Sequence, residues 1–254
     1  MPRRHVAPGD DELASGPKLS EEAYSRIRDA ILRGDFPLGG VLNRRELAVE
    51  LRMSLVPVSE ALRKLELDGL VETERRAGTR VRIPTSQDIE DHLVVRAALE
   101  CESARRFSQR ATAEERKDVV AKAGHLDYLH AHSGNLALNK QLSYAVHCYH
   151  RDFHLLIVDG ARCRGLRNLI ERNQVLTWNW LYNVASEAEV LPADFHARLA
   201  QSVTGEDPEE ASRAMRDHVW YGWENLVRAF TAKYWNPAES QKSPRRWRIA
   251  VETT

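Results

Sequence analysis

The apolar positions between residues 40 and 83 predict two short helices followed by a β-hairpin. In the second helix they recur at i, i+3, i+4 and i+7, the period of a helix packed on one side: Val58, Ala61, Leu62 and Leu65. Ser54 is placed to cap this helix, and Gly69 can supply the left-handed residue that ends it. After residue 70, apolar and polar positions alternate around a turn at Ala77-Gly78, which predicts a hairpin with one packed and one basic face. This order of elements is that of a winged helix-turn-helix, whose second helix usually enters the major groove of DNA.

From Pro84 onward the apolar period is helical and β signals are few. The pattern predicts helices near 86–109, 113–131, 135–159, 163–184, 190–204 and 208–234. Capping-box spacings at Thr85-x-x-Asp88 and Thr112-x-x-Glu115 mark the first two starts. The predicted fold is therefore mainly α, and it divides the chain into four segments. These are a flexible tail (1–17), a winged helix-turn-helix domain (18–84), an all-helical bundle with room for a ligand pocket (85–235) and a basic tail (236–254).

Composition sets looser bounds on the class of protein. The chain has 254 residues, no formal net charge and 43% hydrophobic residues, an ordinary soluble composition with room for two domains. No apolar run reaches the length of a membrane span, and the N-terminus lacks the apolar core of a signal peptide. The three cysteines are odd in number and form no C-x-x-C pair, which fits reduced thiols. We therefore expect a cytoplasmic protein without a membrane partner.

The segment LSEEAYSRIRDAILRGDFPLGGVLNRRELAVELRMSLVPVSEALRKLELDGLV resembles the N-terminal domain of GntR-type bacterial repressors. An amphipathic helix, an R-E-L-A helix, a recognition helix and G-L-V follow one another in the family's order and spacing. Where the family usually has arginines in the recognition helix, this chain has Leu55 and Ser59. Arginine is the commonest reader of guanine edges. The resemblance therefore implies the family's fold, but not its usual operator sequence.

Several residues of this domain are candidates for DNA contact. Arg45 matches an arginine of the R-E-L helix that contacts DNA in the relatives, and Ser54 with the start of the recognition helix can hold a phosphate. Arg63 and Lys64 either add charge to this surface or form a solvated face. Residues 18–84 contain 13 Lys or Arg against 11 Asp or Glu, so the motif supports DNA binding more than the charge does. The wing adds candidates for phosphate or minor-groove contact: Arg75, Arg76, Gly78 and Arg80.

Histidines in the helical region are the second chemical signal. His147, His150 and His154 lie at i, i+3 and i+7 on one predicted helix, and His196 and His218 lie on two later helices. A single histidine on a helix face is more often a hydrogen-bonded core or surface residue than a metal ligand. The i, i+4 pair His150/His154 favours a metal, because that spacing aims both rings at one point.

The helical region also resembles the FCD type of effector domain, found in the FadR branch of these regulators. Its metal-binding members use D-x-x-x-H on one helix and one histidine on each of two later helices. The segment H-R-D-F-H places His154 at the motif's histidine and His150 at its aspartate, while His196 and His218 match the later ligands. The resemblance thus implies a divalent metal ion on these four residues, and a histidine at the aspartate position favours Zn²⁺ or Ni²⁺. Whether His147 or His150 completes the site remains open at this stage.

The same resemblance implies a small organic acid as effector, meeting the metal and nearby polar side chains. Arg96, in V-V-R-A-A-L-E, matches an arginine that often lines this pocket; a surface role is the alternative. Asn173, together with Trp178 and Asn179, is a candidate to shape the pocket from a later helix, although core packing is the better interpretation for Trp178. A carboxylate is the ligand class that a metal and an arginine both attract.

The expected function is a homodimeric transcriptional repressor, not an enzyme, that binds a pseudo-palindromic operator and changes DNA affinity when its effector binds. The rival from another class is a metal-dependent hydrolytic enzyme with a vestigial helix-turn-helix. No H-E-x-x-H or comparable acid–base signature supports it. A third alternative is a family member that has lost specific DNA recognition and acts through partners.

Overall fold

The computed structural model describes residues 16–74, 78–132, 139–172, 181 and 191–235. These residues form two compact units, the first ending at Ile83 and the second beginning at Pro84. In this part of the chain no helix combines the length and the apolar character that a membrane crossing requires.

The first unit has three helices and a small antiparallel sheet. Its elements are α1 (Gly16–Leu32), β1 (Val41–Leu42), α2 (Arg44–Leu51), α3 (Leu55–Leu67), β2 (Val71–Glu74) and β3 (Gly78–Val81). The strands lie in the order β1-β3-β2, with Val71 opposite Val81 and Leu42 opposite Thr79. The predicted helix-turn-helix and wing are confirmed. The sequence analysis did not predict β1, since two residues are too few for an alternating pattern.

Polar and apolar side chains fix the two helices of the helix-turn-helix. Asn43 caps α2 by accepting hydrogen bonds from the backbone N–H of Arg45 and Glu46, at 2.9 and 3.4 Å. Ser54 occupies the N-cap position of α3, but its side chain makes no capping hydrogen bond, so the predicted cap is wrong in this detail. Gly69 has φ +73°, the left-handed conformation predicted after the end of α3. The apolar side chains predicted to face inward on α3 are all buried.

The described residues of the second unit form helices joined by short turns, with no strand among them. It contains α4 (Ser86–Arg110), α5 (Ala113–His132), α6 (Lys140–Gly160), α7 (Arg164–Arg172), α8 (Phe195–Val203), α9 (Pro208–Trp220) and α10 (Trp223–Phe230), followed by a π-helical turn, Thr231–Trp235. Both capping boxes form: Thr85 with Asp88, and Thr112 with Glu115. The predicted bounds of α4 and α5 are correct to within one residue.

Three predicted helices differ from the structure. The segment predicted as one helix over 208–234 breaks at Tyr221, which is extended, and Gly222, which has φ +74°. Helix α6 begins at Lys140, where the Asn139 side chain accepts a hydrogen bond from the N–H of Leu142, and residues 135–138 of its predicted range lie outside the described residues. Helix α8 begins five residues later than predicted, at Phe195. Residues 173–180 of the predicted helix over 163–184 lie outside the described residues.

The core of the second unit lies where α4, α5, α6, α8 and α9 pack together. Its largest fully buried apolar side chains include Phe107, Phe153, Ile157 and Met215. Gly160 lets the end of α6 approach α4 closely, because a Cβ at that position would come within 2.4 Å of the Phe107 ring. This packing places one face of α6 opposite α8 and α9, and that face holds the histidines.

Candidate metal and effector site

Four histidines from three helices converge in the core of the second unit. His150 and His154 come from successive turns of α6, His196 from α8 and His218 from α9. The Nε2 atom of His154 lies 3.0 Å from that of His150 and 3.2 Å from that of His218, and the Nε2 atoms of His150 and His218 are 3.5 Å apart. One ligand atom from each of His150, His196 and His218 lies within 4.8 Å of the others. The structure thus brings together all four predicted metal ligands.

Three of the four histidines are buried, and the fourth, His150, is half-buried. The side chains of His154, His196 and His218 are 0%, 1% and 7% exposed. Phe195 stacks on His218 with ring centroids 4.5 Å apart, and Phe153 meets His154 edge to face. Burial lowers the pKa values of the His150 and His218 imidazoles well below their usual range. At neutral pH these rings are uncharged and offer nitrogen lone pairs.

Asp127 of α5 holds His196 in place. Its carboxylate accepts hydrogen bonds from Nδ1 of His196 at 2.7 Å and from the backbone N–H groups of His196 and Ala197 at 3.0 and 2.9 Å. Since Asp194 gives α8 no side-chain cap, Asp127 satisfies the first turn of that helix from a neighbouring one. Burial opposes ionisation of Asp127, but these hydrogen bonds outweigh it and lower its pKa. Because the proton is on Nδ1, the Nε2 atom of His196 carries a lone pair that can bind a metal ion.

A second carboxylate, that of Glu100 on α4, lies beside His154. It lies against Nδ1 of His154 and accepts a 2.6 Å hydrogen bond from Nε of Arg96, one turn earlier on α4. Burial opposes the charge on Glu100, but Arg96 and His154 outweigh it and hold the pKa of Glu100 at about 2. Arg96 is 3% exposed, and its Nη2 lies 3.4 Å from Nε2 of His154. The surface role considered for Arg96 is therefore wrong: its guanidinium lies at the histidine cluster.

The donor set fits a divalent metal ion. In a tetrahedral zinc site with Zn–N distances of about 2.0–2.1 Å, two ligand nitrogens lie about 3.3 Å from each other. The three distances between Nε2 atoms, 3.0, 3.2 and 3.5 Å, bracket that value. Two of the histidines have a carboxylate on Nδ1, the arrangement that fixes the tautomer of metal-binding histidines. The structure places His150 with the other histidines, because its Nε2 lies 3.0 Å from that of His154 and 3.5 Å from that of His218. His147 is buried on α6, and its role stays a prediction.

Sequence reasoning missed three residues around the cluster. Glu100 had a detectable signal, because its i, i+4 spacing from Arg96 puts two opposite charges on one helix face. Asp127 had no such signal in the sequence, because its partner His196 is 69 residues away along the chain. His130 stacks on His196 with ring centroids 5.4 Å apart, and burial lowers its pKa to about 4. Asn173, Trp178 and Asn179, predicted to shape the pocket, lie outside the described residues.

The predicted DNA-contact residues of the first unit have different environments. Arg45 and Ser54 are exposed at the starts of α2 and α3. Gly78 is exposed with φ +88°, whereas Arg80 is half-buried and pairs with Glu74 across the hairpin at 3.1 Å. Arg75 and Arg76 lie outside the described residues, so their roles stay predictions. Lys64 pairs with Glu21 of α1 at 2.7 Å, which leaves Arg63 as the more available cation on α3.

Comparison with known protein families decides the class of the chain. Residues 19–81 match the model of the gntR family of bacterial regulatory proteins, and residues 91–220 match the FCD domain. The chain belongs to the GntR family. It is a transcription regulator with an FCD domain, in the FadR-like branch that the sequence analysis had indicated.

Similar proteins cover most of this GntR-family chain. The HTH-type transcriptional regulator YdhC of Bacillus subtilis strain 168 is 26% identical over 211 residues, which span 80% of this chain and 88% of YdhC. The HTH-type transcriptional repressor GlaR of Escherichia coli K12 is 28% identical over 206 residues, 79% of this chain and 92% of GlaR. The solved structure of a GntR transcriptional regulator from Rhodococcus sp. RHA1 has a TM-score of 0.66 at 20% identity and covers 83% of this chain and 98% of its own. This last likeness shows the shared fold.

Proposed function

We propose that this GntR-family protein is a repressor whose DNA affinity is controlled by a small organic acid, bound at a divalent metal ion in the FCD domain. The observation that supports the proposal most is the convergence of four imidazoles, of which His196 has its Nδ1 proton held by Asp127 and His154 has its Nδ1 beside the buried Glu100 carboxylate. Imidazoles whose nitrogen atoms converge in this way are ready to bind a cation.

The residues that would hold the ion are His150, His154, His196 and His218. All four donors are neutral nitrogens, a set that suits Zn²⁺ or Ni²⁺ better than Mg²⁺ or Ca²⁺. A bound ion of this kind supplies positive charge and a coordination position that a carboxylate oxygen can fill. The helices contribute rigidity, because α6 presents two ligands on successive turns and Asp127 fixes α8 against α5.

The charge of the pocket favours an anionic effector. Among the described residues that contact the cluster, Arg96 brings one positive charge and Glu100 and Asp127 bring two negative charges, so a bound divalent ion would leave an excess of one positive charge. A monocarboxylate would neutralise it. The Arg96 guanidinium, already beside Nε2 of His154, is placed to bind the second oxygen of such a ligand. An effector of this class would therefore be held by both the ion and Arg96.

The winged unit supplies the output of the switch. As a homodimer the protein would present two copies of α3 to a pseudo-palindromic operator, with Arg45 and Ser54 among the residues that contact the DNA backbone. The effector controls binding only if it has different affinities for the DNA-competent and DNA-incompetent states. We take the sign to be repression relieved by ligand.

A two-part experiment tests this proposal. Selection of bound sequences from random DNA, with full-length protein at near-physiological salt, should recover an inverted repeat. Fluorescence anisotropy on that repeat should then show release by one or more members of a panel of small carboxylates. His154→Ala should keep operator binding but lose the carboxylate response, whereas His132→Ala, an exposed histidine on α5, should keep both.

Each part can fail separately. If no sequence is enriched, the protein is not a sequence-specific repressor. If an operator is recovered but His154→Ala responds to carboxylates like the wild type, the histidine cluster is not the effector site. Tighter operator binding in the presence of the effector would reverse the proposed sign.

A further inference from the structure

The first turn of α3 exposes two adjacent apolar side chains. Leu55 and Val56, the first two residues of the helix, are 48% and 66% exposed. The buried face of α3 begins just after them. The inward-facing residues are Pro57, Val58, Ala61, Leu62 and Leu65.

Basic side chains surround this apolar pair in sequence. Four arginines of α2, α3 and the turn between them are exposed and form no ion pair with another described residue: Arg44, Arg45, Arg52 and Arg63. Ser59, one turn after Leu55, donates its hydroxyl hydrogen to the backbone oxygen of Leu55 at 2.8 Å. This use of the hydroxyl leaves Ser59 no hydrogen to donate to a base. The first turn of α3 therefore exposes apolar side chains, and exposed arginines suited to phosphate contact flank it in sequence.

We infer that Leu55 and Val56 read thymine methyl groups in the major groove. In a helix-turn-helix the N-terminal residues of the second helix meet the base edges. Among those edges, the C5-methyl of thymine is the one apolar group, and it favours contact with apolar side chains. Against guanine or cytosine, the same two side chains would cover polar groups without pairing them, which costs free energy. This inference rests on the proposed function, because it requires specific DNA binding.

The test replaces thymine by uracil, which differs only by the missing methyl group. In the operator recovered by selection, each contacted thymine should be replaced in turn and the Kd measured by fluorescence anisotropy at fixed salt. Loss of one methyl–apolar contact should weaken binding about fourfold, the effect of exposing one buried methyl-sized group. Uracil at thymines outside the contacted positions should leave the Kd unchanged.

Variants assign the contact to the two residues. Leu55→Ala and Val56→Ala should bind the thymine operator more weakly and should each lose part of the thymine-over-uracil preference. Leu67→Ala is the control: it removes a more exposed apolar side chain, 82% accessible, from the other end of the same helix, about 18 Å away along its axis. Leu67→Ala should keep the full preference.

The outcomes separate this inference from the proposed function. An enriched operator that binds equally well with thymine or uracil at every position overturns the methyl contact and leaves the regulator intact. A thymine preference that survives Leu55→Ala and Val56→Ala overturns the assignment to these side chains. Selection without any enriched sequence overturns both proposals together.

Discussion

Replacing Asp127 by Asn removes the charge of a carboxylate that serves two purposes. The side chain accepts a hydrogen bond from Nδ1 of His196 and caps α8 through two backbone N–H groups. Asn keeps a similar shape but has one oxygen, and its NH2 group must face at least one of the three donors. The variant therefore breaks the helix cap, the histidine contact or both.

The expected loss follows from the strength of these contacts. A lost helix cap costs about 1 kcal/mol, and a lost hydrogen bond to a charged group costs about 1.5–3 kcal/mol. Loss of both contacts predicts that Asp127→Asn lowers the free energy of unfolding by about 2.5–4 kcal/mol. If the histidines hold a metal ion, removal of a carboxylate behind one ligand should also weaken metal affinity about 10–100-fold.

Urea unfolding and a competitive zinc titration measure the two effects on the full-length protein. The control is Asp118→Asn, which removes the same charge from an exposed position on the same helix. Asp118→Asn should change stability by less than about 0.5 kcal/mol. The reasoning is refuted if Asp127→Asn matches Asp118→Asn in both measurements, because the three hydrogen bonds would then contribute nothing.

Other predictions concern the packing and charge of the same unit. Gly160→Ala should destabilise by about 1–3 kcal/mol in thermal or urea unfolding, because its Cβ would overlap the Phe107 ring. Gly124→Ala, on a helix with open space around it, should instead stabilise by about 0.5–1 kcal/mol, and equal effects of the two changes would contradict the packing described. Glu100→Gln should cost about 3–5 kcal/mol by removing the buried carboxylate that faces the Arg96 guanidinium at 2.6 Å, and wild-type stability in the variant would rule out a contribution from that pair. Folding lowers the pKa of Glu100 to about 2, so its stabilisation is complete above the unfolded pKa of about 4.3 and is lost as pH falls towards about 2. Unfolding measured between pH 5 and pH 2.5 should show this loss in the wild type, and a Glu100→Gln variant with the same slope would contradict it.

The elements predicted well from the sequence are those that local patterns determine. Helices α4 and α5 begin at capping boxes, whose two residues lie three positions apart, so both bounds could be read along the chain. The recognition helix α3 was predicted by its apolar period and by Gly69 after its end. The break at Gly222 was missed because the apolar period continues on both sides of it, and only the left-handed φ reveals the interruption.

The candidate site was predictable where a motif exists and hidden where contacts are long-range. The i, i+4 spacing of His150 and His154 already implied rings that point together. The resemblance to the FCD domain supplied His196 and His218, which no local pattern connects to α6. Asp127 could not be found, because its role depends on how α5 packs against α8. Tertiary packing therefore decides which of the many acidic residues becomes the partner of a histidine.

X-ray absorption at the metal edge of the full-length protein, as purified and after zinc loading, tests the central claim most directly. We predict one ion per chain. Its ligands should be either four imidazole nitrogens or three nitrogens and an exchangeable oxygen, at metal–ligand distances of about 2.0–2.1 Å. We also predict that His154→Ala lowers the metal content, whereas His132→Ala does not. A protein that retains no ion after zinc loading and dialysis, or that binds one equally well without His154, would contradict the claim that the histidine cluster is a metal centre.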